Sequence, residues 1–362
     1  RDRSSTLHVA EVLRTTPQEN LRMIKQSLSY LKSQGREVIY DAEHFFDGYK
    51  ADPQYAVDTL RAAMDGGADT AVLCDTNGGS MPWEIESATQ DICSMLPEAS
   101  LGIHAHNDGG LALANSLAAV RAGVIQVQGT VNGYGERCGN ADLCTLIPTL
   151  ELKMGLQVLL PGCLPRLTHL ARTVAAIANQ SLGRHAPYVG KSAFTHKAGM
   201  HVAAMRRTAE SYQHLDPALV GNRSRVVVSE LSGKGNLQTK VEELGIADLG
   251  PNDLPGVVQK VKELEHQGFS FEGAEASVEM LLERSRPEYR PPFEMLDFMV
   301  VAEKRDGQGS FAEATIKVRV GEDVFHSAAD GNGPVNALDR ALRKALIPVY
   351  PDLEVFDLAD YK

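Results

Sequence analysis

Leu101-Gly102-Ile103-His104-Ala105-His106-Asn107-Asp108 begins as a short apolar run and ends in a polar cluster. The same pattern recurs on both sides. Upstream, Thr70 to Cys74 is continuously apolar and ends in Asp75-Thr76-Asn77-Gly78-Gly79, and Glu37 to Tyr40 leads into Asp41-Ala42-Glu43. Downstream, Val124 to Val127 leads into Asn132-Gly133-Tyr134-Gly135-Glu136-Arg137-Cys138-Gly139-Asn140. Helical patterns lie between these runs. Thr16-Pro17-Gln18-Glu19 reads as an N-cap, an N1 proline and a capping box closed by Glu19. Leu21, Ile24, Leu28 and Leu31 then form one stripe, and Gly35 supplies the stop. Asp52-Pro53 opens a second helix, Pro82 to Met95 spans a third, Leu113 to Val120 marks a fourth ending at Gly123, and another begins near Ala141.

Strand, polar tip and helix, repeated about every 25–32 residues, is the rhythm of βα units with parallel strands. Each polar cluster falls at a strand's carboxyl end, where barrels and open α/β sheets place their chemistry. No Gly-x-Gly-x-x-Gly follows the first strand and no Gly-x-x-x-x-Gly-Lys-Ser/Thr occurs, which favours a barrel over a nucleotide-binding sheet. Four units are half of the eight that close a TIM barrel. The expectation is therefore the C-terminal half of a TIM (β/α)8 barrel over residues 1–155, a complete open sheet being the alternative.

The 362 residues carry a net charge of -11, with 43% hydrophobic and 23% charged residues, an ordinary globular balance. The acidic excess argues against a nucleic-acid partner, and no apolar run reaches the roughly 18 residues of a membrane span. Cys74, Cys93, Cys138, Cys144 and Cys163 are odd in number and form no Cys-x-x-Cys pair, which suits free thiols in a reducing compartment. Arg1-Asp2-Arg3-Ser4-Ser5-Thr6 is neither a signal nor a transit peptide, and the chain does not begin with Met. A cytoplasmic protein is expected.

Residues 156–286 read as helical linker subdomains, with helical spacing around Leu164 to Ala178 and at Val257, Val261 and Leu264. Residues 287–362 read as a small α+β domain. Met299 to Ala302 and Ala314 to Val320 are its strands, with Ala314, Ile316, Val318 and Val320 on one face, and Pro334 opens a helix. Leu358 to Lys362 look like a strand beginning, which suggests truncation.

His104-x-His106 is the strongest chemical signal, since side chains two apart in a strand share a face and both imidazoles can reach one cation. The ordinary alternative is a pair of surface or capping histidines. Asp41 and Glu43 have the same spacing and suit a metal shell, a substrate hydroxyl or a proton in transit, against the plainer role of capping the next helix. Asp75 to Gly79 offers a hydroxyl, an amide and backbone N–H groups to a carboxylate, although Asp, Asn and Gly are also common turn formers. Cys138 and Cys144 default to inert small residues. Gly190 to His201, with two lysines and two histidines, suits a base and phosphate contacts, or else a solvated basic loop.

His104 to Gly110 with Asn115-Ser116, followed by Gly135-Glu136-Arg137-Cys138-Gly139-Asn140-Ala141-Asp142-Leu143, resembles the acyl-CoA-condensing branch of the metal-dependent TIM-barrel family. That branch holds 2-isopropylmalate, homocitrate and citramalate synthases, with hydroxymethylglutaryl-CoA lyase as a relative. Asp75 to Gly79 matches a third family segment, and Gly331-Asn332-Gly333-Pro334-Val335-Asn336-Ala337 resembles the attached regulatory domain. Tyr40 to Lys50 and His196-Lys197-Ala198-Gly199-Met200-His201 are most similar to the citramalate type; Val202-Ala203 stands where the isopropylmalate enzymes usually have Gln-Asp.

The resemblance implies a homodimeric enzyme that condenses acetyl-CoA with a small 2-keto acid, pyruvate for the citramalate type, on a divalent metal (Mn, Mg or Zn). His104, His106 and Asn140 would be metal ligands, Thr76 would bind the keto-acid carboxylate, and Glu43 would sit in the substrate pocket as a catalytic or binding group. His201 would be the base. Gly331 and Gly333 would border an effector site for an amino acid, isoleucine in this type. The family's Arg-Asp signature on the first barrel strand is not Arg1-Asp2, which precedes a segment resembling the chain just after the fourth strand. The implied consequence is that the first four βα units are absent and that this chain alone has little activity. A fragment that keeps only dimer and amino-acid-binding surfaces is the non-enzymatic alternative; a lyase is disfavoured by the long C-terminal extension.

Overall fold

Four apolar runs pair in the computed structural model as β1 (Ile39–Ala42), β2 (Thr70–Asp75), β3 (Leu101–Ala105) and β4 (Gln126–Gln128). The order is β1-β2-β3-β4 and every pair is parallel. The structure describes residues 3–196, 204–205, 208, 211–226, 234–246, 249, 253–271, 274–305 and 309–356. Within them the chain forms two compact units, residues 1–227 and 228–362.

In the first unit, helices cover one face of the sheet: α1 (Pro17–Ser33), α2 (Phe45–Ala51), α3 (Pro53–Asp65), α4 (Pro82–Met95) and α5 (Ala112–Ala122). Ile24, Leu28, Tyr40, Phe45, Leu60, Leu73, Ile85, Ile92 and Ile103 share one buried core between sheet and helices. β2 has Ala71, Val72 and Leu73 fully buried in succession, which is why it reads as an unbroken apolar run. Caps set the helix starts. The Thr16 hydroxyl accepts from the Glu19 N–H, and the Asp52 carboxylate accepts from the Tyr55 N–H. The expected capping box is only half formed, because the Glu19 carboxylate turns to Arg22 instead of returning to Thr16. In the α1 stripe Ile24 and Leu28 are buried, while Leu31 faces solvent. Asn20 is buried in its place and bonds the Tyr55 hydroxyl and the Arg3 carbonyl.

Register places Asp41 beside Val72, Gly102 and Gln126, and Cys74 beside His104 and Gln128, on the face away from the helices. The Gln128 amide nitrogen reaches an Asp41 carboxylate oxygen at 2.8 Å. In a flat sheet β1 and β4 would stand three spacings, about 14 Å, apart. The bond therefore requires the four strands to curl into a trough, as the wall of a TIM-type barrel does. The loop after β4 continues the wall: Thr130 pairs with Asp142 and His106 with Asn140. α6 (Leu143–Leu152) then begins at Asp142, whose side chain accepts from the Cys144 N–H. α7 (Leu167–Ile177) and the two-residue strands β5 (Thr195–His196) and β6 (Arg225–Val226) complete the unit around Leu167, Ala171, Tyr188, Phe194 and Val220.

The second unit contains α8 (Lys234–Leu244), α9 (Leu254–His266) and α10 (Glu275–Arg284), which share Leu237, Leu254, Val257, Val261 and Leu282. It also contains an antiparallel sheet, β7 (Glu294–Arg305), β8 (Gly309–Val320) and β9 (Asp323–Gly331), with α11 (Pro334–Leu346) against it. Ala314, Ile316 and Val318 face Ala337, Ala341 and Ala345, as the alternating pattern predicts. β9 is a third strand beyond the two predicted. On the other face Met299 and Val301, paired with Thr315 and Glu313, are exposed. No helix among the described residues is long and apolar enough to cross a membrane.

Candidate metal and substrate site

His104 is the penultimate residue of β3 and His106 lies just past its end, so their side chains leave the strand on the same side. Their ring centres are 5.1 Å apart with the planes tilted by 56°. His106 pairs with Asn140 across an antiparallel bridge, which sends the Asn140 side chain to that side too. The structure brings the two imidazoles together and sets Asn140 opposite His106.

Each is supported from behind. The His104 Nδ1 is 2.8 Å from the Gln128 side-chain oxygen. The Asn140 amide nitrogen donates to the Tyr134 carbonyl at 3.0 Å, so its oxygen is the end left over. Close backbone packing fixes that orientation: a Cβ on Gly135 would come within 2.1 Å of the Asn140 amide nitrogen, and one on Gly139 within 2.0 Å of the Gly133 carbonyl oxygen. Gly139 also holds φ at +85°, a conformation that favours glycine.

Asn140 Oδ1 and His106 Nδ1 are buried and have no hydrogen-bond partner. A buried, unpartnered acceptor is a costly arrangement unless something occupies its lone pair. Burial holds the His106 imidazole below its ordinary pKa, with His104 and the Arg137 guanidinium adding to the effect, so the neutral, lone-pair-bearing ring is favoured. With metal–nitrogen bonds of about 2.0–2.1 Å, two rings at this separation can share one ion. The donor set fits a divalent cation. Among the described residues no group of three or more His, Cys, Asp or Glu side chains is placed to hold a metal, so the protein donors here are two imidazoles and an amide.

Around them, three loops are fastened by Arg137. Its Nε and Nη2 bond both Asp108 carboxylate oxygens, at 2.8 and 3.1 Å, and Nη2 also donates to the Thr76 carbonyl at 2.7 Å. Arg137 in turn holds the Asp108 carboxyl below the usual carboxylate range. The Thr76 hydroxyl oxygen accepts from the His44 N–H at 2.7 Å, which leaves its proton to donate. Glu43 sits past the end of β1, its carboxylate paired with Arg3 and its carbonyl accepting from the Ser4 N–H. Asp75 turns inward: 2% exposed, it takes the Ser80 hydroxyl at 3.0 Å and the Asn115 amide at 3.2 Å. Burial raises its carboxyl above the usual range against those hydrogen bonds, and its work is to hold the β2 loop.

Burial pushes the Cys144 thiol up to about 11 and raises that of Cys74, in keeping with inert cysteines. His201 lies outside the described residues. Gly331 ends β9 and Gly333 precedes α11 in the second unit, where a Cβ on Gly331 would come within 2.3 Å of the Ala337 nitrogen. Gln128 and the clamp made by Arg137 were not singled out by sequence; the signal for Arg137 was its place between Gly135 and Gly139, two tight glycines.

Three family models match the chain: HMGL-like over residues 2–174, homocitrate synthase post-HMGL domain-like over 188–268, and the LeuA allosteric (dimerisation) domain over 272–362. The (R)-citramalate synthase of Geobacter sulfurreducens is 52% identical over 358 residues, covering 98% of this chain and 67% of that protein. That of Aquifex aeolicus is 49% identical, covering 99% and 69%. A protein of Methanopyrus kandleri described as a probable 2-isopropylmalate synthase is 30% identical, covering 97% and 68%. The chain thus spans about two thirds of the length of these relatives.

Proposed function

The chain belongs to the (R)-citramalate synthase family, and from that premise we propose that it condenses acetyl-CoA with pyruvate. The acetyl methyl carbon joins the keto carbon, the acyl group becomes an alkyl substituent, and thioester hydrolysis releases coenzyme A.

The observation that supports this reading is the pairing of the His104 and His106 rings with Asn140 opposite His106, and the buried, unpartnered His106 Nδ1 and Asn140 Oδ1 at a strand's carboxyl end. A divalent ion (Mn, Mg or Zn) bound by these three supplies Lewis acidity that polarises the keto carbonyl. Thr76 donates its hydroxyl proton to the keto-acid carboxylate, held in position by the N–H of His44. Glu43 lines the pocket mouth as a catalytic or binding carboxylate. His201 is the base that takes the methyl proton, so that the carbon–carbon bond forms as the keto oxygen gains negative charge and then a proton. The protein donors in this reading are two imidazoles and one amide, and slow turnover by this chain on its own is part of the proposal. Residues 287–362 carry the dimerisation and effector function. The exposed Met299 and Val301 face suits a homodimer contact, and the turn at Gly331 and Gly333 suits an amino-acid carboxylate, that of isoleucine. A cytoplasmic location completes the proposal.

The test is thiol release from acetyl-CoA with pyruvate, 2-ketoisovalerate or 2-ketoglutarate, with and without Mn2+, joined to calorimetry of keto-acid binding in Mn2+. Pyruvate is expected to bind most tightly and to give the fastest release, with chelation abolishing both. Preference for 2-ketoisovalerate would move the assignment to an isopropylmalate synthase.

A further inference from the structure

We propose that Gln128, aimed by Asp41, is a positioning residue that locks His104 in the tautomer whose Nε2 lone pair is free for the ion. The inference rests on the reading of His104 as a ligand and assigns a role to two residues outside the ligand set.

The argument is one of donors and acceptors. The Asp41 carboxylate at neutral pH accepts hydrogen bonds and does not donate them. The end of the Gln128 amide that lies 2.8 Å from it must therefore be the NH2. The other end, the carbonyl oxygen, lies 2.8 Å from His104 Nδ1 and can only accept. Nδ1 then carries the proton, and Nε2 carries the lone pair. Without Asp41, a glutamine amide can turn by 180° and offer either end to the ring at similar energy. The carboxylate makes the choice.

The geometry adds a second constraint. His104 and Gln128 are register partners on adjacent strands, so their contact is local. Asp41 is on β1, at the far side of the sheet, and reaches Gln128 only because the four strands curl. Orientation of the ring thus depends on the curvature of the whole trough. Partners that orient ligating histidines typically alter metal affinity about 10–100-fold when removed.

Three variants of the full chain test this: Gln128→Leu, Asp41→Asn, and the double variant Asp41→Asn with Gln128→Glu. In the double variant an amide donor faces a carboxylate, which again presents an acceptor to Nδ1. Two readouts are taken: long-range 1H–15N spectra of the metal-free protein, with His104 assigned by comparison with His104→Asn, and Mn2+ affinity by calorimetry. Wild type is expected to show the Nδ1–H tautomer. Gln128→Leu and Asp41→Asn should each mix the tautomers and weaken Mn2+ binding, Gln128→Leu by about 10–100-fold. The double variant should recover both, which a merely structural contact would not do. A Gln128→Leu protein that keeps the Nδ1–H tautomer and binds Mn2+ within twofold of wild type would overturn the proposal. Wild-type protein with the Nδ1–H tautomer but no Mn2+ binding would overturn it at its premise, the metal reading, while leaving the hydrogen-bond relay in place.

Discussion

Arg137 meets Asp108 through two parallel N–H···O bonds, and the same guanidinium holds the Thr76 carbonyl. One side chain thereby ties the loops after β2, β3 and β4 at the mouth of the trough. A lysine keeps the charge but lacks the planar fork. Arg137→Lys should raise the KM for the keto acid and speed amide exchange at residues 76–79 and 107–110. The thermal midpoint should stay nearly unchanged, because the pair is solvent-facing. Exchange mass spectrometry checks this; unaltered protection in both loops would remove the clamp from the account.

Gly135 leaves no room for a methyl group beside Asn140. Gly135→Ala should displace the Asn140 amide, the end of a side chain that can give way, with little loss of stability. Mn2+ affinity should fall more than tenfold while the far-ultraviolet dichroism remains that of the folded protein. Retained affinity would show that Asn140 is dispensable to the ion.

Thr76 has two duties, donating to substrate and accepting from the His44 N–H. Thr76→Val should raise the KM for pyruvate about 10–100-fold, the range for one hydrogen bond to a charged group. It should also cost about 1–3 kcal/mol of stability by stranding that N–H. Thr76→Ser should restore most of both. Steady-state kinetics beside urea melts separates the two effects.

Histidine burial makes the fold acid-sensitive. Burial lowers the pKa of His8, His44 and His106 below 6.5, with neighbouring cations adding to it. Between the lowered folded values and 6.5 the unfolded chain binds more protons, so stability rises with pH across that window and is lost as pH falls through it. Asp75 has the opposite sign: its raised folded value makes stability fall as pH rises above 3.8, a window starting below that of the histidines. Urea midpoints measured from pH 5 to 8 should climb and then level off above about 6.5. His44→Asn, which tolerates the positive φ of 57° at that position, should flatten the climb.

The βα order was legible because β2 and β3 are continuously buried runs and the helices carry caps or stops: Thr16, Asp52, Gly35 and Gly123 act where the sequence places them. The motif histidines were legible from their i, i+2 spacing. What escaped was the last two residues of β1 and the last residue of β4. β1 was read to end at Tyr40 and runs to Ala42; β4 was read to end at Val127 and runs to Gln128. Aspartate and glutamine are poor strand formers, and only pairing to their neighbours draws them into the sheet. That extension brings Asp41 and Gln128 onto the concave face, a relation between residues 87 apart in sequence that no local pattern encodes. The half-made cap at Glu19 has a similar cause: Arg22, one turn on, competes for its carboxylate.

In the loop from Gly133 to Asn140, Gly135 and Gly139 each sit where a Cβ would meet a neighbouring atom, Asn140 Nδ2 and the Gly133 carbonyl oxygen. Such a segment leaves little scope for diversification, whereas the exposed rim at Asn77, whose side chain bonds Asp47, can be changed without disturbing it. A mutant library aimed at new keto acids is best drawn along that rim, leaving the glycine-bound stretch as invariant scaffold.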